Sequence, residues 1–371
     1  MSLRRLLAIA RKEALQLSRD SRSMALAFAM PLLLLAIFGY AISWDIRDIR
    51  TAVWDQDLSA DSRELLDAFR ASGYFSFVTT VSSAAEVRRL LDRAEVRLVL
   101  VVPPDFAEDL GAGRTAAVQA LVDGSDANTA TIVLAYARAV VQEHSSKLRV
   151  AGETVRPPLT ADARVWYNEE LESKNMIVPG LVAVIMMIIG AMLTSLTIAR
   201  EWERGTMEQL AATPVTRLEV VLGKLLPYVV IGMTDVAVIS LAGIFLFDVP
   251  FRGNPILLAI LSFFFLLGAA GLGVFLSAAA RSQLLATQMA MMATYLPALL
   301  LSGFMFAISV MPKPLQLVTY LVPARYFLVV TRGIFLKGVG MEVLRTEGLL
   351  MIAFAVAGVT LAVHEFRKEI G

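Results

Sequence analysis

Six stretches of this chain are long, apolar and almost free of charge, and they limit the fold more than any other feature. They cover residues 23–44, 176–199, 225–247, 255–280, 284–311 and 348–363. The second, fourth and fifth contain no charged residue. A run of ~20 apolar residues crosses the hydrocarbon of a bilayer as a helix. A helix is required there because only it or a closed barrel satisfies its own backbone polar groups away from water. The expected fold is therefore a polytopic α-helical membrane protein with six transmembrane helices. Composition agrees. Of the 371 residues, 57% are hydrophobic and 18% charged, against about 25% charged in a soluble domain, and the mean hydropathy is +0.66. The sixth run is short. Glu347 and His364, placed at headgroup depth, extend it to 347–364.

Basic residues set the orientation. Arg4, Arg5, Arg11, Lys12, Arg19 and Arg22 precede the first run, so the N-terminus is expected in the cytoplasm. Arg200, Arg204, Arg217, Lys224 and Arg281 then fall on the same side, as does a cytoplasmic tail at 365–371 with Arg367 and Lys368. Residues 312–346 argue the other way. They would lie outside yet hold Lys313, Arg325, Arg332, Lys337 and Arg345. The first apolar region is longer than the ~7–15 residues of a signal h-region, so it reads as an uncleaved anchor. Residues 1–22 form an amphipathic interfacial helix, with Leu3, Leu6, Leu7, Ala10, Ala14 and Leu17 on one face. It either anchors the chain or also braces a cytoplasmic partner.

Residues 45–175 are different material. Strands are expected at 51–54, 74–81, 96–102 and 118–122, and helices at 61–71, 84–93 and 128–149. Alternating strands and helices imply an inserted α/β domain, which the topology places outside the cytoplasm. His144, beside Glu143, reads as a solvated residue on a polar helix face. Asp123-Gly124-Ser125 reads as a strand-to-helix turn with Ser125 or Asp126 as the N-cap.

Several functions are disfavoured. The chain has no Cys, which removes disulfides, thiol chemistry and Cys-ligated zinc, and only two His, so no metal spacing is expected. Net charge is +1, without a nucleic-acid footprint. No P-loop is present: Gly223-Lys224 lacks the upstream glycine and is followed by Leu225. No catalytic residue is expected.

Between the second and third runs lies the charged segment AREWERGTMEQLAATPVTRLEVVLGK, residues 199–224. Residues 201–210 can form a short helix with acids near its positive end, stopped by Pro214. Trp202 and Met207 offer apolar contacts, and Glu201, Glu203 and Glu208 can pair with basic groups of a partner. The plain alternative is a loop held inside by its positive charge, but retention alone requires neither three glutamates nor a tryptophan. Asp235 lies ~16 Å along a helix from Lys224, near the middle of the third run, where an ionisable group faces protein or water. It reads equally as a polar point in a translocation path or dimer seam and as a structural hydrogen-bonding group. Gly268, Gly271 and Gly273 permit close helix packing. Residues 315–330 are apolar but broken by Pro323 and Arg325, which suggests short re-entrant helices.

These fragments in this order resemble the membrane (permease) subunit of a bacterial type-2 ABC exporter, of the subgroup with a large extracytoplasmic domain between the first two transmembrane helices. The resemblance rests on Arg11-Lys12-Glu13, Arg19-Asp20 and Asp123-Gly124-Ser125. It rests most on Glu201-Trp202-Glu203-Arg204-Gly205-Thr206-Met207-Glu208 with Thr213-Pro214 and Gly223-Lys224. Near the end come Pro323-Ala324-Arg325-Tyr326-Phe327, Arg332-Gly333 and Lys337-Gly338. It implies a multi-pass protein of the bacterial inner membrane that exports amphipathic or lipid-like compounds, drugs included. Residues 200–224 would be the coupling helix and loop, docking a separate cassette ATPase that uses the ATP and magnesium. A second permease copy, identical or a paralogue, would complete the pore, and a periplasmic adaptor stays open as a further partner. Residues 312–346, with Pro323, Arg325, Tyr326 and Arg332, would form the outer gate. The competing class is a non-ABC membrane protein, either a secondary transporter or a receptor-like anchor with a ligand-binding outer domain. A secondary transporter should show inverted repeats and more intramembrane charge, and a receptor needs no cytoplasmic hairpin.

Overall fold

A computed structural model describes residues 2–41, 48–124, 127–147, 149–150, 153–154 and 172–366. The chain divides into two compact units, Met1–Ser43 with Trp166–Gly371, and Trp44–Val165. The first unit opens with α1 (Leu3–Ser18), α2 (Ser21–Met24), a π turn at Ala25–Ala29 and α3 (Met30–Ala41). The π turn contains Ala27, whose carbonyl Pro31 has no N–H to satisfy. The apolar part of this region, Ala27–Tyr40, is shorter than the expected span 23–44. Residues 42–44 fall outside the described residues, as does the tail from 367 onward.

The second unit follows as β1 (Ile49–Asp55), α4 (Ala60–Ala71), β2 (Phe75–Thr80), α5 (Ala84–Asp92), β3 (Leu98–Val102), α6 (Phe106–Gly111), β4 (Gln119–Val122) and α7 (Ala127–Lys147). A small ladder, β5 (Arg149–Val150) with β6 (Glu153–Thr154), closes it. The main sheet has the order β2-β1-β3-β4, with the first three strands parallel and β4 antiparallel to β3. The Leu98–Val102 strand is apolar throughout because both faces of the sheet are covered. One face packs with Leu65, Phe69, Val133 and Ala137, the other with Val87 and Leu90. Ser59 and Ser83 start α4 and α5 by accepting the amides of Ser62 and Glu86. His144 is buried, in contrast to the solvated position expected. It continues the buried α7 stripe of Val133, Ala137 and Val140 by one more turn. The expected cap at Ser125 or Asp126 lies outside the described residues.

The first unit resumes with α8 (Ser173–Glu203), α9 (Met207–Ala211), α10 (Arg217–Phe247), α11 (Pro255–Ala280) and α12 (Gln283–Leu296), the last continued by a π turn to Leu301. Then come α13 (Lys313–Thr319), α14 (Pro323–Arg332) with a π turn over Gly333–Lys337, and α15 (Met341–Glu365). Five of these helices are long and apolar enough to cross a membrane: Ser173–Glu203, Arg217–Phe247, Pro255–Ala280, Gln283–Leu301 and Met341–Glu365. A sixth span appears if the pair Lys313–Thr319 and Pro323–Lys337, bent by 77°, counts as one. The fifth apolar run therefore ends its helix at Leu301 rather than 311, just before Gly303 takes a left-handed φ of 87°.

α8 is the enclosed centre. Of its apolar stretch 83% is buried, against 22% for Gln283–Leu301. It runs alongside α11, where the Thr194 hydroxyl donates to the Ala270 carbonyl at 2.9 Å. Ser277 Oγ accepts from the Ile198 and Ala199 amides at 3.0 and 2.9 Å. Glycines set the spacing, as expected. A Cβ on Gly273 would collide with the Ala191 carbonyl and the Thr194 hydroxyl. A Cβ on Gly271 would come within 2.6 Å of the Gly358 backbone on α15. Gly271→Leu is therefore expected to cost at least ~1–3 kcal/mol by overpacking and to lower the yield of monodisperse protein on size exclusion. Gly340→Ala, with nothing within 4 Å of the added methyl, should behave as wild type.

Candidate functional site

The end of the first unit where α8 stops and α10 begins holds a buried cluster of opposite charges. Lys224 Nζ donates to Glu13 Oε2 at 2.9 Å and to Glu201 Oε1 at 3.1 Å. The side chains of Lys224, Glu13 and Glu201 are 2%, 3% and 7% exposed. Lys12 reaches in from the surface to Glu201 Oε1 at 2.7 Å. The Tyr228 hydroxyl donates to Glu13 Oε1 at 3.1 Å, and the Thr206 hydroxyl donates to Glu201. Two ammonium groups thus face two carboxylates, and each buried carboxylate has a further hydroxyl donor. This arrangement is what a desolvated ion cluster requires to persist.

The cluster joins α1, α8 and α10. Below it, Thr216 and Glu219 form a capping box at the start of α10, and Glu219 also accepts the Ser2 amide. The Arg5 guanidinium donates to the Pro214 carbonyl. Helix α1 buries Leu6, Ala10, Glu13 and Leu17, whereas Leu3 and Leu7 are exposed. Its apolar face is therefore shared. One flank packs on protein and the other stays open, a refinement of the purely interfacial helix expected. Glu13 lies on the buried flank despite its charge because Lys224 waits there.

The hairpin differs from the single helix expected over residues 201–210. α8 runs unbroken to Glu203 and then turns through Gly205, whose φ is 68°. The short α9 follows. Glu201 and Met207 point inward, the former into the ion cluster and the latter into an apolar cluster with Ile198, Val221 and Val274. They are not outward contacts. Trp202 is half-buried, with the Arg281 guanidinium 4.7 Å above its ring. Glu203 accepts from the Gln283 amide at 2.7 Å. Glu203, Arg204, Gly205 and Glu208 are exposed, and Thr206 is half-buried.

The remaining candidates lie elsewhere in this unit. Asp235 is buried on α10, and its Oδ2 has no hydrogen-bond partner among the described residues. It lies one turn beyond Gly232, which packs against Leu266; Ser262, one turn before Leu266, has an equally unpartnered Oγ. At the bent pair, Pro323 opens α14 and Arg325 sits 4.1 Å from the Tyr320 ring while donating to Thr319. The Tyr326 hydroxyl donates to the Tyr320 carbonyl at 2.8 Å. Arg332 Nε donates to the Met176 carbonyl at the start of α8 at 3.3 Å. These contacts close the break between α13 and α14 and tie it to the central helix. Among the described residues no group of His, Cys, Asp and Glu could hold a metal ion.

Long apolar helices around a buried α8, closed at one end by paired charges, define a multi-pass helical membrane protein. The chain belongs to the ABC-2 transporter family: the ABC-2 family transporter protein pattern matches residues 22–364. It is similar to the probable multidrug ABC transporter permease YbhS of Escherichia coli K12, 38% identical over 96% of this chain and 95% of that protein. It is also similar to the probable multidrug ABC transporter permease YbhR of the same organism, 28% identical over 99% of both chains. The inner membrane transport permease YhhJ is 26% identical over 86% of this chain and 85% of its own length. The chain is thus a transport component of the bacterial inner membrane. Its family implies in general an ATPase partner and pairing of permease subunits.

Lys224→Met would strand Glu13 with the Tyr228 hydroxyl alone. It is expected to cost about 3–5 kcal/mol, the usual effect of breaking a buried ion pair, read as a lower unfolding temperature. Adding Glu13→Gln removes the stranded charge and should recover part of the loss. No recovery would show that the two charges do not depend on each other.

Proposed function

We propose that the chain is the membrane half of an ATP-driven exporter, moving amphipathic or lipid-like compounds, drugs included, out of the cytoplasm or the inner leaflet. ATP and magnesium act on a separate cassette subunit. That subunit docks on the hairpin of residues 200–224, with both termini in the cytoplasm and the Trp44–Val165 unit outside. Two permease chains, identical or paralogous, form the pathway. Alternating access is then a conformational change driven by the partner's cycle.

One observation carries this reading. The hairpin offers Glu203, Gly205 and Glu208 to an incoming protein, while Glu201 just behind them is locked to Lys224 and Lys12. A push on the exposed turn is therefore delivered to α8, α10 and α1 together. A loop retained only by its positive charge has no need of that backing. The names of the relatives, multidrug ABC transporter permeases, support the same direction. Within this scheme the bent pair with Pro323, Arg325, Tyr326 and Arg332 is the outer gate, and Asp235 is a polar point in the pathway or at the seam between subunits.

The test is co-purification of the tagged chain with its ATPase and measurement of substrate-stimulated hydrolysis. Glu208→Arg should reduce stimulation several-fold through lost charge complementarity. Gly205→Val should do so by straining a left-handed turn, at a cost of ~1–2 kcal/mol. Both variants should remain folded: Glu208 is exposed, and at Gly205 an added Cβ meets no atom within 4 Å, so that the backbone strain is its cost. Wild-type coupling in both removes the docking assignment. Asp235→Asn should lower export without affecting assembly with the ATPase. Unchanged efflux together with unchanged dimer stability would leave that acid outside both pathway and seam.

A further inference from the structure

A recess of about 1080 Å³ opens beside the charge cluster, lined by Lys12, Gln16, Arg19, Asp20, Arg200 and Arg204, with Leu15 and Leu196 on its apolar side. Four cations and one acid face it. Two of the cations are already neutralised: Lys12 by Glu201 at 2.7 Å and Arg200 by Asp20 at 3.3 Å. Arg19 and Arg204 are exposed and have no ion partner among the described residues. The recess therefore keeps two free guanidinium groups, the side chains best shaped to take phosphate oxygens in pairs.

Its depth bears on where such a phosphate group would come from. The uncharged run of α8 ends at Ala199. Leu196 lies on the hydrocarbon side of that end and Arg200 and Arg204 on the polar side. The recess straddles the level at which acyl chains give way to headgroups. Helix α1, which forms its other wall, leaves Leu3, Leu7 and Leu15 exposed, as a helix in contact with acyl chains would. We infer that this recess binds the phosphate headgroup of an anionic phospholipid of the adjoining leaflet, held between Arg19 of α1 and Arg204 of the hairpin. The volume exceeds that of a bare phosphate and accommodates the glycerol of a headgroup as well. An acidic protein segment fits less well, because the Leu196 side of the recess lies at hydrocarbon depth. Bound lipid would bridge α1 and the turn that follows α8, so the local lipid would bear on the position of the hairpin. This inference rests on the membrane-spanning fold and is independent of which compound the protein moves.

The test is native mass spectrometry of the purified full chain with phosphatidylglycerol or phosphatidylcholine, and a third arm with inorganic phosphate added. Phosphatidylglycerol should be retained in preference to phosphatidylcholine. Arg19→Glu with Arg204→Gln should weaken retention about tenfold or more, since both basic groups that face the headgroup are lost. Arg19→Lys should keep most of it, and Arg217→Gln, an exposed cation outside the recess, should change nothing. If the double variant does not elute as folded protein, the single variants Arg19→Gln and Arg204→Gln carry the comparison. Equal retention of both lipids, or an equal loss in Arg217→Gln, overturns the assignment. Displacement by millimolar phosphate without lipid preference would make the recess a soluble-anion site. Loss of ATPase co-purification in Arg19→Glu with lipid retention unchanged would make it a protein contact. Either result also overturns the lipid assignment, whereas failure of the ATPase-docking reading alone would leave lipid retention as expected.

Discussion

Buried charge organises the end of the bundle around Lys224. Moving an ammonium group out of water costs several kcal/mol, and attraction within a cluster offsets that cost only when every charge has a partner at close range. Lys224 meets that condition through Glu13 and Glu201, two residues far apart in the chain. The consequence is mechanical. Helices α1, α8 and α10 cannot part at this end without stranding a charge in an apolar setting. The Arg281–Trp202 stack and the Gln283–Glu203 hydrogen bond bring the turn between α11 and α12 into the same assembly.

Away from that end, shape replaces charge. Gly268, Gly271 and Gly358 bring the backbones of α11 and α15 together, and Gly273 does the same for α11 and α8. In lipid, where apolar side chains gain nothing by leaving the solvent, such close backbone approach adds van der Waals packing to interhelical hydrogen bonds such as that from Thr194 to Ala270. At the far end Phe327 of α14 stacks on Phe265 of α11 with ring centroids 4.1 Å apart. That stacking seats the bent pair in the bundle. The result is uneven burial: α8 is enclosed, while α12 and α15 keep broad apolar faces open, surfaces that lipid or a second subunit can cover.

Much of this was legible in the sequence. Apolar run length marked the five long helices, and α11 begins at residue 255 where its run does; the Asn254 side chain caps it there by accepting the Ile256 amide at 2.8 Å. Alternating strand and helix patterns anticipated the small sheet of β1 to β4, and Pro323 with Arg325 anticipated the break before α14. The site was less legible. Glu13 lies at helical spacing from Leu6, Ala10 and Leu17 and shares their buried flank, but the partner that makes a buried charge tolerable there sits at position 224, out of reach of any local pattern. Glu201 and Met207 face inward because the hairpin is two helical pieces joined through Gly205 rather than one helix. Gly205 was the available clue: a glycine inside a short charged segment marks a reversal, and a reversal turns neighbouring side chains to opposite sides. His144 follows the same logic: its neighbour Glu143 is exposed, while the spacing from Val140 puts the imidazole inside.

Helix α8 spans Ser173–Glu203, ~46 Å at the usual rise, whereas the hydrocarbon of a bilayer is about 30 Å thick. Its surplus must project as a stem beyond the oily layer or be taken up by tilt. Arg332 holds one extremity at Met176 and Lys224 holds the other at Glu201. A rod clamped at both tips transmits a change of slant as a whole. A displacement of its aqueous stub would therefore be passed along the rod to the opposite side of the membrane.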